Sequence, residues 1–248
     1  MSTKLSLWVA GCSRLDQLVR VGSYASARKL VVALLSWPTL DGVQTVALLK
    51  RGADIASASQ RYRLARTYLR QAIALEPTDA DLYFQLGVAF ETDPFGCDRK
   101  ARVAYRKATT LNADHPQFRA HLGRAMIRIN ELDSGIRVLC KAAAAAPTDT
   151  DVLEVLVEGL REAGRSELAF KLLSKSRFLA PRDNHIEQLW ARAKYDVARQ
   201  NQKRIPDTEP SIRPFLRLVS ASDDRMDAAS EPKAHIGRLR AFRTDRGN

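Results

Sequence analysis

Small and large apolar residues follow one another along this chain at fixed helical spacing. A small residue is followed four positions later by a large apolar residue, and three positions after that by a second small residue. This pattern occurs four times, with the large position held by Leu69, Tyr105, Leu139 and Leu173. On an α-helix all three positions share one face, so a neighbouring backbone can approach the small residues while the large one fills the space beside them. The pattern predicts four similar helices that pack in the same way.

These helices lie in segments of nearly constant length, each closed by a helix-breaking position. Ala113, Pro147 and Pro181 are separated by 34 residues, and Pro77 lies 36 residues before Ala113. Apolar residues at i and i+3 or i+4 predict another helix in the first half of each segment, and aspartates after the prolines can cap it. The predicted repeats are Val46–Asp79, Ala80–His115, Pro116–Asp149 and Thr150–Asp183. Such a period is typical of a stacked helical-repeat protein.

The two ends of the chain fit the period less well. Residues 1–45 are predicted to form a degenerate first repeat, with Ser26, Leu30 and Ala33 at its small, large and small positions. Residues 184–203 have apolar residues at helical spacing and are predicted to form a capping helix. Residues 204–248 contain four prolines and a polar, acidic stretch, which predicts a disordered basic tail.

This combination of residues resembles the tetratricopeptide repeat family. The residues that carry the resemblance are Tyr83, Leu86, Gly87, Phe90, Ala101, Tyr105 and Ala108, together with Leu156, Gly164, Ala169, Leu173 and Pro181. It covers Val46 to Asp183, and a two-residue insertion near Asp93–Gly96 departs from it and predicts a longer turn. The resemblance implies an all-α fold, a right-handed α-solenoid of helix-turn-helix repeats. It also implies an interaction scaffold or adaptor that binds a peptide or partner protein in its concave groove.

The resemblance further implies which residues face that groove, because the first helices of the repeats line it. The predicted partner-binding residues are Lys50, Asp54, Phe84, Val88, Glu91, Arg124, Arg128, Glu154 and Glu158. Phe84 and Val88 are expected to form an apolar anchor, and the three basic residues are expected to receive acidic groups. Arg124 and Arg128 lie four positions apart and could hold one carboxylate or phosphate together. The alternative is that both pair internally with the two glutamates of the adjacent helix.

One subgroup of the family binds the carboxyl-terminal tails of heat-shock chaperones through a clamp of Lys, Asn and Arg side chains. Only Lys50 matches this clamp. Asp54 and Gln85 stand where asparagines are expected, and His121 stands where an arginine is expected. The sequence therefore does not predict chaperone binding.

The chain is strongly basic, with a formal net charge of +12 from 40 basic and 28 acidic residues. The excess is spread along the chain, as is typical of a solvated surface. It leaves open an alternative function, a basic nucleic-acid- or ribosome-associated helical-repeat protein. The tail and one basic strip would then make the contacts, and the strip consists of Arg61, Arg63, Arg66 and Arg70.

The sequence contains no recognisable catalytic motif. A phosphate-binding glycine loop, an HExxH motif and a CxxC motif are all missing from it. Its four histidines are scattered, and none belongs to a recognisable pair of base and nucleophile. We therefore predict a protein that is not an enzyme and that uses no cofactor and no metal.

The sequence predicts a cytoplasmic protein, because no apolar run approaches the ~20 residues that span a bilayer. Its three cysteines also lack the spacing of a disulfide framework. Val9–Cys12 resembles the end of a bacterial lipoprotein signal, but the apolar stretch Leu5–Ala10 is shorter than the roughly 7–15 residues of a signal-peptide core. An apolar first helix is therefore the favoured interpretation of this segment.

Overall fold

The computed structural model describes residues 2–38 and 40–204, and α-helices occupy most of both ranges. These two ranges contain eleven helices and no β-strand. The helices are α1 (Ser2–Arg20), α2 (Tyr24–Leu35), α3 (Gly42–Ala58), α4 (Tyr62–Leu75), α5 (Ala80–Glu91), α6 (Asp98–Leu111), α7 (Pro116–Arg128), α8 (Leu132–Ala145), α9 (Thr150–Glu162), α10 (Ser166–Leu179) and α11 (Asn184–Arg204). Apart from Arg204, the predicted disordered tail lies outside the described residues.

Helices that are neighbours in the chain pack against each other from α1 to α10, and α7 also packs on α9. Tight turns join the two helices of each pair, and short links join one pair to the next. The fold is therefore an all-α solenoid of helix-turn-helix units, as predicted.

The face defined by the small and large positions is buried, which confirms the packing prediction. Leu69, Tyr105, Leu139 and Leu173 are each at most 1% exposed. Burying one such leucine stabilises a fold by roughly 1.5–3 kcal/mol. The repeated face therefore supplies the core, which consists of three apolar clusters that follow one another along the array.

A close approach of two helices joins α7 to α8 and depends on two glycines. A Cβ atom on Gly135 would lie 2.7 Å from the carbonyl oxygen of Gly123, and a Cβ atom on Gly123 would lie 2.9 Å from the carbonyl oxygen of Gly135. Both distances are too short for real carbon–oxygen contacts. The two backbones can touch only because neither residue has a side chain.

Aspartates begin the first helices, as the residues after the prolines predict. Asp79, Asp149 and Asp183 each accept a hydrogen bond from the backbone N–H two positions further on, at 2.9, 3.0 and 2.8 Å. Asp41 caps α3 and forms a reciprocal capping box with Gln44. Each cap satisfies a backbone donor that the helix itself leaves unpaired.

The predicted packing positions of α2 are wrong by one residue. The buried residues are Ala27, Val31 and Leu34, whereas the predicted Ser26 and Ala33 are exposed. The prediction assumed that Pro38 follows its helix at the same distance as the later prolines. Pro38 instead lies three positions after the end of α2, while Pro77 lies two positions after the end of α4.

In α2, α4 and α6, an arginine directly follows the buried small residue that begins the packing pattern. Each of these arginines reaches the turn of the next helix pair and donates a hydrogen bond there. The three contacts are Arg28 Nη1 to Ser59 Oγ at 2.9 Å, Arg66 Nη1 to Asp93 Oδ2 at 2.8 Å and Arg102 Nη1 to Glu131 Oε1 at 2.6 Å. We call them the arginine rungs.

The insertion near Asp93–Gly96 lengthens the turn between α5 and α6, as predicted. This turn consists of residues 92–97, whereas residues 59–61 suffice between α3 and α4. Asp93 organises the longer turn, because it accepts hydrogen bonds from the backbone N–H of Phe95 at 3.0 Å and from Arg66. The insertion therefore also supplies the acceptor for the second rung.

Helices occupy both ends of the array. Cys12 lies inside α1 and is half-buried. Ile186 and Leu189 of α11 are buried in the same apolar cluster as Leu173 of α10. Within the described ranges, no helix is both long and apolar enough to cross a bilayer.

We expect Gly135→Leu to lower the free energy of unfolding by about 3 kcal/mol, because the new side chain forces α7 and α8 apart. Urea unfolding followed by far-ultraviolet circular dichroism measures the change. Gly42→Ala is the matched control, since a Cβ atom there meets no other atom within 4 Å. A Gly135→Leu protein as stable as the control would contradict the close approach of these helices.

Candidate functional site

A cleft of about 340 Å³ separates α3 from α5 on the face formed by the first helices. Its apolar lining consists of Ala53, Leu69, Phe84, Val88 and Ala89, and its polar lining consists of Asp54, Ser57, Tyr62, Gln85 and Thr92. Three of the predicted partner-binding residues, Asp54, Phe84 and Val88, thus lie around one cavity. The apolar side chains of this cavity can receive an apolar group of a ligand.

A second cleft, of about 250 Å³, lies between α1 and α3. It is lined by Leu15, Asp16, Val19, Tyr24, Arg51, Asp54, Ile55 and Ala58. The sequence does not predict this cleft, because the degenerate first repeat lacks the pattern from which groove residues can be assigned. Leu15 and Val19, which lie one helical turn apart, were the signal that could have indicated it.

Phe84 forms a rigid wall of the first cleft. Its ring stacks on Phe118 with the centroids 4.8 Å apart, and it meets His121 edge-on at 5.0 Å. Tyr105 lies behind it at 5.7 Å. Because aromatic neighbours hold the ring from several sides, the wall is in place before any ligand arrives.

Glu91 lies beside this wall and is bound by side chains of two other helices. Its carboxylate accepts a hydrogen bond from the Tyr105 hydroxyl, and it lies 3.2 Å from His121 Nδ1. The guanidinium groups of Arg124 and Arg128 lie 3.4 and 3.3 Å from it. Burial raises the pKa of Glu91, but hydrogen bonds from His121 and Tyr105 and the nearby charges outweigh burial and lower it to about 2. Glu91 is therefore a structural anion.

Arg124 and Arg128 also bind carboxylates of α9. Both donate to Glu162, at 2.9 and 3.0 Å, and Arg124 lies 2.7 Å from Glu158. Since internal carboxylates already occupy both arginines, the expectation that they receive acidic groups of a partner needs correction. The predicted alternative of internal pairing agrees with the structure, except that Glu162 takes the place of Glu154.

Glu154 itself is exposed and belongs to no ion pair among the residues that the structure describes. Glu154 and Glu162 lie eight positions apart on α9, which is more than two helical turns. Gly159, between them, lets α9 pack tightly against α8, because a Cβ atom there would lie only 2.7 Å from Leu139 Cδ2. Since α9 also packs on α7, the end of α9, and with it Glu162, lies beside the arginines.

Lys50 is likewise engaged, by the aspartate that caps α5. Its Nζ lies 2.6 Å from Asp79 Oδ2. Arg51, the next residue, pairs with Asp16 at 3.1 Å. The basic residues predicted to face the groove are thus neutralised inside the protein.

Asp54 differs, because no ion pair or hydrogen bond from another described residue reaches its carboxylate. The side chain remains exposed, yet it lines both clefts. Partial desolvation by the cleft walls raises the pKa of Asp54, and the charge of Lys50 opposes that rise. The part of the groove between α1 and α5 therefore presents a carboxylate without an ion-pair partner among the described residues, and this carboxylate lies between two largely apolar clefts.

Three arginines of the predicted basic strip, Arg61, Arg63 and Arg66, line one open cavity of about 620 Å³, together with Arg28 and the 96% exposed Phe95. Arg66 is buried and bound to Asp93, and its guanidinium lies 4.9 Å from the centre of the Phe90 ring. Arg70 lies 5.8 Å from the centre of the same ring. Because Arg66 has a structural role, the strip offers fewer free cations than its sequence suggests.

We expect Glu91→Gln to lower the free energy of unfolding by about 3 kcal/mol at pH 7, since a depressed pKa in the folded state means that ionisation stabilises the fold. This stabilisation is present above the unfolded-state pKa near 4.5 and is lost as the pH falls toward 2. The difference between the wild type and Glu91→Gln should therefore shrink by more than half at pH 3.

Urea unfolding at several pH values measures this difference. Glu154→Gln is the matched control, because that glutamate belongs to no described ion pair, and it should leave stability unchanged at every pH. A difference between the wild type and Glu91→Gln that stays constant from pH 7 to pH 3 would contradict the structural role of the Glu91 anion.

Comparisons with known proteins identify the fold by structure and not by sequence. No protein-family model and no curated protein matches the chain. A tetratricopeptide repeat protein from Parabacteroides merdae superposes with a TM-score of 0.60, at 14% identity over 88% of each chain. TTC0263, a thermophilic TPR protein of Thermus thermophilus, gives 0.56 at 20% identity, over 76% of this chain and 99% of its own.

A third solved structure, YrrB, is described as a TPR protein with an unusual peptide-binding site. It superposes with a TM-score of 0.51 at 16% identity, over 73% of this chain and 88% of its own. At these low sequence identities, the superpositions show that the proteins share a fold. The chain therefore has the fold of the tetratricopeptide repeat proteins, in agreement with the resemblance found in its sequence.

Proposed function

We propose that this protein is a non-enzymatic interaction scaffold that binds an extended segment of a partner protein along α1, α3 and α5. One observation carries the proposal: two open, largely apolar clefts follow one another on the face of the first helices. The peptide-binding site named for YrrB, which has the same fold, supports it. In this proposal Phe84 and Val88 hold an apolar side chain of the partner.

The polar lining of the cleft between α3 and α5 favours a peptide over a purely apolar ligand. Gln85 Oε1 is buried there and has no hydrogen-bond partner among the described residues. A buried acceptor left unpaired costs about 1–3 kcal/mol. If the Gln85 amide turns toward the cleft, a backbone N–H of a bound segment supplies the missing donor, and Ser57 and Thr92 at the same cleft offer further hydrogen bonds.

Five of the other predicted residues have a supporting role in this proposal, whereas Glu154 has none. Glu91, Arg124, Arg128 and Glu158 fix the wall beside the cleft, and Lys50 holds the cap of α5. The proposal also places the protein in the cytoplasm, because free thiols at Cys12, Cys97 and Cys140 suit a reducing compartment.

We expect Val88→Arg to abolish capture of a protein partner, because a long charged side chain would fill the cleft between α3 and α5. The measurement is an affinity capture from nuclease-treated native lysate with the full chain as bait. Val103→Arg is the matched control, since Val103 lies on α6 outside both clefts and is 62% exposed. Circular dichroism checks that both variants are folded.

A partner that is retained by the wild type and by Val103→Arg, but lost with Val88→Arg, is the expected result. Equal retention by all three baits would place the contact outside the groove and contradict the proposal. Recovery of nucleic acid alone from untreated lysate would also contradict it.

A further inference from the structure

We infer that the groove selects a partner segment in which a lysine or arginine lies between two apolar side chains, with Asp54 receiving the cation. This inference rests on the proposed function and names the chemistry of its ligand. It begins from the position of Asp54, which lines the cleft between α1 and α3 and also the cleft between α3 and α5. Any segment that fills both clefts must cross α3 at this carboxylate.

The charges around Asp54 favour an incoming cation. The basic side chains nearest to it on α3 are Lys50 and Arg51, and each is held by another carboxylate, at 2.6 and 3.1 Å. Further along the groove, Arg124 and Arg128 are bound to glutamates. A cation of the ligand therefore meets an acceptor that no described side chain already occupies.

Desolvation turns this preference into a requirement. When apolar side chains fill the clefts on both sides of α3, they remove water from the carboxylate between them. A charge that is desolvated without a partner is costly, whereas a paired charge recovers much of that cost. For a purely apolar segment, the cost of desolvating Asp54 would thus cancel part of the binding free energy gained in the clefts. An acidic segment would in addition be repelled.

The dimensions of the solenoid set the spacing of the ligand residues. The two clefts lie on opposite sides of α3, so they are about one helix diameter, ~10 Å, apart. An extended chain advances roughly 3.3–3.6 Å per residue. In the polyproline II form of an extended chain, which has three residues per turn, side chains at i and i+3 share one face and lie about 9 Å apart. The two apolar side chains should therefore be three positions apart, with the basic residue at one of the positions between them.

Selection from a phage-displayed library of random peptides, with the full chain as target, tests this inference. The expected result is enrichment of peptides with the pattern apolar, two residues including Lys or Arg, apolar. A synthetic peptide from the selection should bind Asp54→Asn about tenfold more weakly than the wild type, and its dissociation constant should rise with salt only for the wild type. Glu154→Gln, the matched control on α9, should bind like the wild type.

The outcomes separate this inference from the proposed function. Enriched peptides that need Val88 but carry no basic residue, or that bind Asp54→Asn as tightly as the wild type, would overturn the inference and leave the groove as a binding site. If no peptide is enriched, or if Val88→Arg binds the enriched peptides unchanged, the proposed function fails and the inference fails with it.

Discussion

The ionised carboxylate of Glu91 is the interaction on which the middle of the array depends. It connects α5 to α6 through the Tyr105 hydroxyl and to α7 through His121, Arg124 and Arg128. The same two arginines continue the contact to α9 through Glu162. Without this anion, two neighbouring guanidinium groups would lose a buried counter-charge, and the wall that carries Phe84 would lose its support.

The network also divides the groove into two halves with different properties. From α7 onward the first helices lie close together, since α9 packs directly on α7, and their charges are paired. Between α1 and α5 the first helices stand apart, and the space between them remains as two clefts. A protein that paired all of its groove charges and closed all of its clefts would have little left with which to recognise a partner. The open half keeps apolar surface, an unpaired amide oxygen and one unneutralised carboxylate.

The sequence predicts the core of this fold well and the charges of its groove poorly. Periodicity locates Leu69 or Tyr105 on a buried face, because the face follows from helical geometry alone. It does not predict that Arg124 pairs with Glu162, since that depends on the distance between α7 and α9 and on the direction of long side chains. The buried face of α2 is likewise mispredicted, by one position, because it is inferred from the distance between the helix and Pro38. A link of unusual length before α3 moves Pro38 by one position relative to its helix.

The arginine rungs have a consequence for the mechanics of the array. They join successive helix pairs at their turns from α2 to the turn that precedes α8, whereas the corresponding positions in α8 and α10 are the apolar residues Ile136 and Phe170. Hydrogen bonds to a charged donor are directional and resist small displacements more strongly than apolar contacts do. At the turns, neighbouring helix pairs should therefore resist displacement more strongly in the half of the array that holds the clefts than in the half that follows.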